Sequence, residues 1–116
     1  MVANAFVDSP LDAVFSALAH PARREMIRLL REKAVSVNEF LQVFDLSGPA
    51  ISKHLKVLED AGLVQVVPEK QTRYRVLNAK ALEQATDWLE EYRIFWEGSF
   101  DRLESVAREL ESEFER

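Results

Sequence analysis

From Ser9 to Asp60 apolar residues recur every three or four positions, the spacing of helices that bury one side. Ser9-Pro10 predicts the first start: serine caps, and proline suits a first turn that needs no amide hydrogen. Leu11, Val14, Phe15 and Leu18 form its apolar side. His20-Pro21 interrupts the pattern, because the residue before proline avoids the helical region. Pro21 opens a second helix to about Lys33, with Met26, Ile27, Leu29 and Leu30 inward. Ser36-Val37-Asn38-Glu39 has capping-box spacing and predicts a third helix, with Val37, Phe40, Leu41 and Phe44 inward and a break after Asp45. Ser47 caps a fourth, Pro49 falls in its first turn, and Gly62 ends it.

The pattern then changes. Residues 63–67, LVQVV, and 73–77, RYRVL, are rich in branched and aromatic side chains and predict two short strands. Pro68 to Thr72 joins them as a hairpin loop, and a long helix runs from Ala79 nearly to the end. The expected fold is mainly α with a small β-hairpin, in the order α-α-α-α-β-β-α. It is a winged helix-turn-helix: one domain over residues 1–116, with a core at 9–78 and a C-terminal dimerisation helix at 79–116.

The fourth helix carries the candidate chemistry. Ile51, Leu55 and Leu58 lie on one face, and Pro49, Ser52, Lys53 and Lys56 on another. The second face is slim at the helix start and cationic beyond it, which suits a DNA major groove. Ser47, Gly48, Ser52 and Lys53 fall where base edges are within reach; His54 flanks the apolar face, and Lys56 falls at phosphate height. The hairpin adds Lys70, Gln71, Thr72, Arg73 and Arg75, a basic wing beside that helix. Strand register is open at this stage, so Arg73 or Arg75 could face inward.

Charge sharpens this picture. The chain is acidic, −5 in total. Residues 20–78 hold ten Lys/Arg against seven Asp/Glu, whereas residues 79–116 hold five against eleven. The middle is basic and the tail acidic. With 47% apolar and 30% charged residues the composition is that of a globular protein. There is no cysteine, which excludes disulfides and thiolate metal sites. The N-terminus has no signal-peptide pattern, so a cytoplasmic location is expected.

Three stretches, LAHPARREMIRLL, SVNEFLQVFDLSGPAISKHLKVLEDAGLV and RYRVLNAKALEQATDWLEEYRIFWEGSFDRL, together resemble the ArsR-type winged-helix repressors over roughly residues 9–110. The resemblance implies a homodimeric transcriptional repressor that binds a roughly palindromic operator of double-stranded DNA. The tail, with Trp88-Leu89, Tyr92-Arg93, Phe95-Trp96 and Leu103, resembles a metal-independent branch. Position 48 often carries a longer polar or basic residue in that family; here it is Gly48. Family metal sites use cysteine pairs, or His with Asp/Glu on the last helix. This chain has only His20 and His54, far apart in sequence, so no metal or other cofactor is expected. No nucleophile elbow or phosphate-binding loop occurs, and no enzyme activity is expected.

In the tail Leu82, Leu89, Trp96, Leu103 and Leu110 recur every seven residues, with Tyr92 and Val106 three positions after members of that series. Trp88, Phe95 and Phe100 widen the apolar surface. A second copy is the expected cover, with Phe6, Val14, Phe15 and Leu18 of the first helix joining the interface. Two alternatives remain at this stage. One is a winged-helix protein-interaction module. The other is a repressor answering a small-molecule effector at the dimer interface.

Overall fold

The computed structural model describes residues 9–114. Helix α1 spans Pro10–Leu18, α2 Pro21–Glu32, α3 Val37–Val43, α4 Gly48–Asp60 and α5 Ala79–Phe114. Strands β1, β2 and β3 are Val35–Ser36, Val64–Glu69 and Thr72–Leu77.

Each short helix begins where local chemistry can satisfy its free amides. The Ser9 and Ser36 hydroxyls accept from the amides of Asp12 and Glu39, whose carboxylates accept in return from the serine amides. Ser47 Oγ accepts from the Ala50 amide at 3.3 Å. His20 caps α2 through a side chain rather than a hydroxyl: its Nδ1 accepts from Ala22 N at 3.1 Å. The expected starts are therefore realised. The expected ends run slightly long, since α2 stops at Glu32 and α3 at Val43.

Helix α4 ends in a Schellman turn. Leu63 N donates to Leu58 O at 3.0 Å and Gly62 N to Glu59 O at 2.9 Å. Gly62 adopts φ +79, the left-handed region that a side chain disfavours. Leu63 then enters the core fully buried, so the turn also delivers the chain into β2.

The sheet has three strands, not two, in the order β1-β3-β2, both pairs antiparallel. The two residues of β1 were not foreseen, because a strand that short has no periodicity; it exists through pairing with β3. The hairpin is also tighter than expected. Its strands extend to Glu69 and from Thr72, leaving Lys70-Gln71 as the turn. Pro68 sits inside β2, which is an edge strand where a missing amide hydrogen costs no ladder bond.

The core is assembled from α1 to α4 and the sheet: Val14, Ala17, Met26, Leu30, Val35, Phe40, Ile51, Leu55, Leu58, Leu63 and Val64, with Ala85 from the start of α5. Two sequence expectations are corrected. Leu41, expected inward, is exposed, while Phe40 and Phe44 hold that side of α3. Val14, expected at a dimer interface, fills the protomer's own core at 1% exposure and presents no interface surface. Phe6 lies outside the described residues.

The chain divides into two compact units, one ending at Ala85 and one starting at Thr86. The second is the remainder of α5, and none of its described residues is buried. Trp88 and Tyr92, one turn apart, pack with ring centroids 4.7 Å apart and their planes tilted by 46°.

Nothing lies within 4 Å of a Cβ added at Gly62, so its substitution tests backbone conformation alone. Gly62→Ala is expected to cost about 1–2 kcal/mol, the left-handed penalty. Thermal melts of the two proteins check this; an equal melting temperature would remove the turn from the account of how α4 is terminated.

Candidate nucleic-acid interface

Helix α4 buries Ile51, Leu55 and Leu58 and exposes Pro49, Ser52, Lys53 and Lys56. Burial of the first three fixes the roll of the helix and so fixes what the other four present. Ser47 is exposed at the cap, with its hydroxyl already accepting from Ala50 N. Gly48 follows, half-buried, and an added Cβ would meet only Leu41 Cδ2 at 4.0 Å. Space for a side chain is therefore present at position 48, and packing does not explain the glycine.

Lys53 is exposed, and Lys56 Nζ pairs with Asp60 Oδ1 at 3.1 Å one turn on. That hydrogen bond raises the lysine pKa. Such an exposed pair is weak and exchangeable, so Lys56 can be passed to a phosphate.

Register settles the question of the two wing arginines. Residues directly paired in an antiparallel ladder share a face. Val64 pairs with Leu77, Val66 with Arg75, and Pro68 with Arg73; Val35 pairs with Arg75 from the other side. Arg73 and Arg75 thus both lie on the face that carries core residues Val35, Val64 and Leu77. They differ in depth. Arg75 is only 16% exposed, with its Nε 3.6 Å from Glu59 Oε1 of α4, and Arg73 is exposed nearer the tip. Of the two arginines the sequence left open, Arg75 is the one that faces inward, where it ties the wing to α4. Its Nη1 also donates to Arg73 O at 3.4 Å.

Lys70 and Gln71 are exposed at the turn, with Lys70 at φ +57. Thr72 is exposed beside them. A recess of about 260 Å³ runs between the wing and the start of α3, lined by Gln71, Thr72, Arg73 and Arg75 on one side and Ser36, Val37 and Asn38 on the other. Sequence reasoning missed Ser36 and Asn38 as neighbours of the wing. The signal was absent because β1, which brings them there, is too short to see.

His54 is held from behind. Its Nδ1 lies 3.2 Å from Arg23 Nη1. A guanidinium only donates, so Nδ1 accepts and the ring proton sits on Nε2, which makes the imidazole neutral. Arg23 also donates through Nε to Ala17 O at 2.5 Å and through Nη2 to Ser16 O at 3.3 Å. It thereby joins the end of α1 to α4. The two histidines, distant in sequence, pack with ring centroids 4.5 Å apart. Arg23 is a further residue that sequence reasoning missed, since its partners lie as far as 31 positions away. Among the described residues no cluster of three or more His, Cys, Asp or Glu side chains is placed to hold a metal ion, and no helix is long and apolar enough to cross a membrane.

A slim polar helix face on a buried apolar one, next to a basic hairpin, defines a winged helix-turn-helix protein. A helix-turn-helix domain model matches residues 18–67. The chain is 29% identical over 79 residues to the transcriptional repressor SdpR of Bacillus subtilis (strain 168), covering 68% of this chain and 88% of that one. It is 41% identical over 73 residues to the HTH-type transcriptional regulator YuzN of the same organism, covering 57% and 77%. It superposes on the crystal structure of the ArsR family transcriptional regulator RHA00566 with a TM-score of 0.69 at 29% identity, covering 77% and 98%. The chain belongs to the ArsR family of winged helix-turn-helix regulators. It is a DNA-binding transcriptional regulator and not an enzyme.

Burial first, then the neighbouring His20, Arg23 and Lys53, holds the His54 pKa below its ordinary 6.5. Folding therefore favours the neutral ring. Its contribution is complete above the unfolded value and is lost as pH falls through the folded one. Wild type is expected to lose stability relative to His54→Gln as pH falls below the ordinary histidine value of 6.5. Urea unfolding of both proteins at several pH values checks this; a constant difference would remove His54 titration as the cause.

Proposed function

We propose that the protein is a homodimeric repressor that binds a palindromic operator without a metal sensor site. The observation that carries the DNA contact is the exposed Pro49-Ser52-Lys53-Lys56 face of α4, flanked by the exposed wing residues Lys70, Gln71, Thr72 and Arg73. In this reading Ser52 and Lys53 meet base edges, helped by Ser47 and the small residues Gly48 and Pro49. Lys56, Lys70 and Arg73 neutralise phosphates. Arg75 and His54 act through the structure, by fixing the wing and the back of α4.

Homodimerisation is supported by the second part of α5. Leu89, Tyr92, Trp96, Phe100, Leu103, Val106 and Leu110 are each at least 40% exposed, an apolar stripe too long for a stable helix to leave in water. Ile94 and Phe95 broaden it. From α1, Phe15 and Leu18 are half-buried apolar side chains. A two-fold dimer would set two α4 helices in successive major grooves, about 34 Å apart. The acidic residues of the tail then repel DNA from the wrong face.

Lys53→Ala is expected to weaken binding to DNA from upstream of its own gene about tenfold, with melting temperature unchanged and a salt dependence as steep as that of the wild type, as loss of a base contact requires. Mobility-shift titrations at several salt concentrations read both quantities, and an unaltered affinity would sink the assignment of Lys53. Trp96→Glu with Leu103→Glu should cost the dimer about 3 kcal/mol or more. Sedimentation of the variant as a dimer at wild-type concentrations would exclude this stripe as the interface.

A further inference from the structure

Half of the positive charge in residues 20–78 is not on the DNA-facing elements. Arg23, Arg24, Arg28, Arg31 and Lys33 belong to α2 and its C-cap. Arg23 has a structural task, described above. Arg24, Arg28 and Arg31 follow at i, i+4 and i+7, so they share one side of the helix. Ile27 lies within the same stripe.

These three arginines border a cavity of about 250 Å³ whose remaining walls are Ile27, Leu77 and Leu82. The walls are half-buried aliphatic side chains packed on the core, and the rim is cationic. Each guanidinium has one bond that leaves most of its five N–H groups unused. Arg24 Nη1 donates to Leu18 O at 2.7 Å, Arg28 Nη1 to Glu25 Oε1 at 2.9 Å, and Arg31 Nε to Glu32 Oε1 at 3.0 Å. Both carboxylates are neighbours on the same exposed helix, and pairs of that kind yield readily to a better-placed anion. A second cavity of about 420 Å³ lies on the other side of α2, but its rim mixes Glu25 and Glu32 with Arg28, so nothing there selects a sign of charge.

We propose that the Arg24-Arg28-Arg31 cavity is a binding site for a small amphiphilic anion, an acyl or aryl carboxylate of medium length. The aliphatic walls take the tail and the arginine rim takes the carboxylate, in the one- or two-point geometry that guanidinium favours. The site adjoins the corner that supports α4. Arg24 holds the last carbonyl of α1, and its neighbour Arg23 holds Ser16, Ala17 and His54. A carboxylate that draws on Arg24 competes with Leu18 O at that corner.

Octanoate is the probe, titrated into the full chain at low salt and followed by amide NMR shifts, with octanol and acetate as controls for tail and charge. Shifts are expected around Ile27, Leu77 and Leu82, with octanoate binding at least about tenfold tighter than either control. Arg28→Gln with Arg31→Gln should weaken octanoate about tenfold while leaving the melting temperature in place. Equal binding of octanol, an unaffected double variant, or shifts confined to residues beyond Thr86 would overturn the proposal. So would the double variant dissociating a dimer that takes no octanoate, because the arginines would then serve acidic side chains of a second copy. No DNA is present, so failure here is distinct from failure of the operator reading.

Discussion

The burial of one face of α4 is the constraint on which the site depends. Ile51, Leu55 and Leu58 are 0–1% exposed, and each is worth about 1.5–3 kcal/mol relative to exposure. Any rotation of the helix would bring one of them into water. The roll is therefore fixed by apolar contact, and the polar face follows passively at the opposite side. The Schellman turn at Gly62 extends the same constraint into the sheet: the Leu58 carbonyl accepts from Leu63 N, Leu63 continues the core, and Asn78 closes the turn by donating through Nδ2 to Gly62 O at 2.9 Å. Recognition helix and wing are thus positioned by one continuous packed surface.

Arginines divide into two kinds by what they hold. Arg23 and Arg75 are partly buried and tie elements together, α1 to α4 and β3 to α4 respectively. In both, part of a guanidinium is spent on a carbonyl or carboxylate, so the charge does structural work and is costly to strip of its partners. Arg73 and the stripe on α2 are exposed and keep most of their donors for solvent or ligand. Sequence charge counts treat all of these alike. The excess of cations in the middle of the chain is accordingly not one feature but three: the exposed face of α4 with the wing, two internal ties and a separate cationic side of α2.

The second part of α5 poses an energetic problem of a different sort. A helical segment with no buried residue among those described relies on propensity and on pairs such as Arg108 Nη2 with Glu104 Oε1 at 2.6 Å, each worth only about 0.2–0.5 kcal/mol. The apolar stripe is where larger stabilisation is available, and only another surface can supply it. The two signs of its sequence, large apolar residues every seven positions and acid elsewhere, are consistent with one seam that is covered and other faces that remain wet.

The residues by themselves determined where helices start, because a capping bond spans three positions: Ser9 with Asp12, Ser36 with Glu39, Ser47 with Ala50. They determined the two faces of α4 through the helical repeat, and its end through a single glycine. They also carried the family, through three stretches that run from α2 into α5. What they left open involves partners distant along the chain. The strand β1 exists only as a mate for β3 some 40 positions later. Register placed both wing arginines on one face, and depth on that face separated Arg75 from Arg73. His20, Arg23 and His54 meet only because α1, α2 and α4 converge. Val14 was legible as apolar, but apolarity does not say which apolar surface it meets; the packing of α1 drew it into the protomer's own core. Local bonds are written in adjacent letters, whereas burial and register are decided by which surfaces compete successfully for contact once the chain has closed on itself.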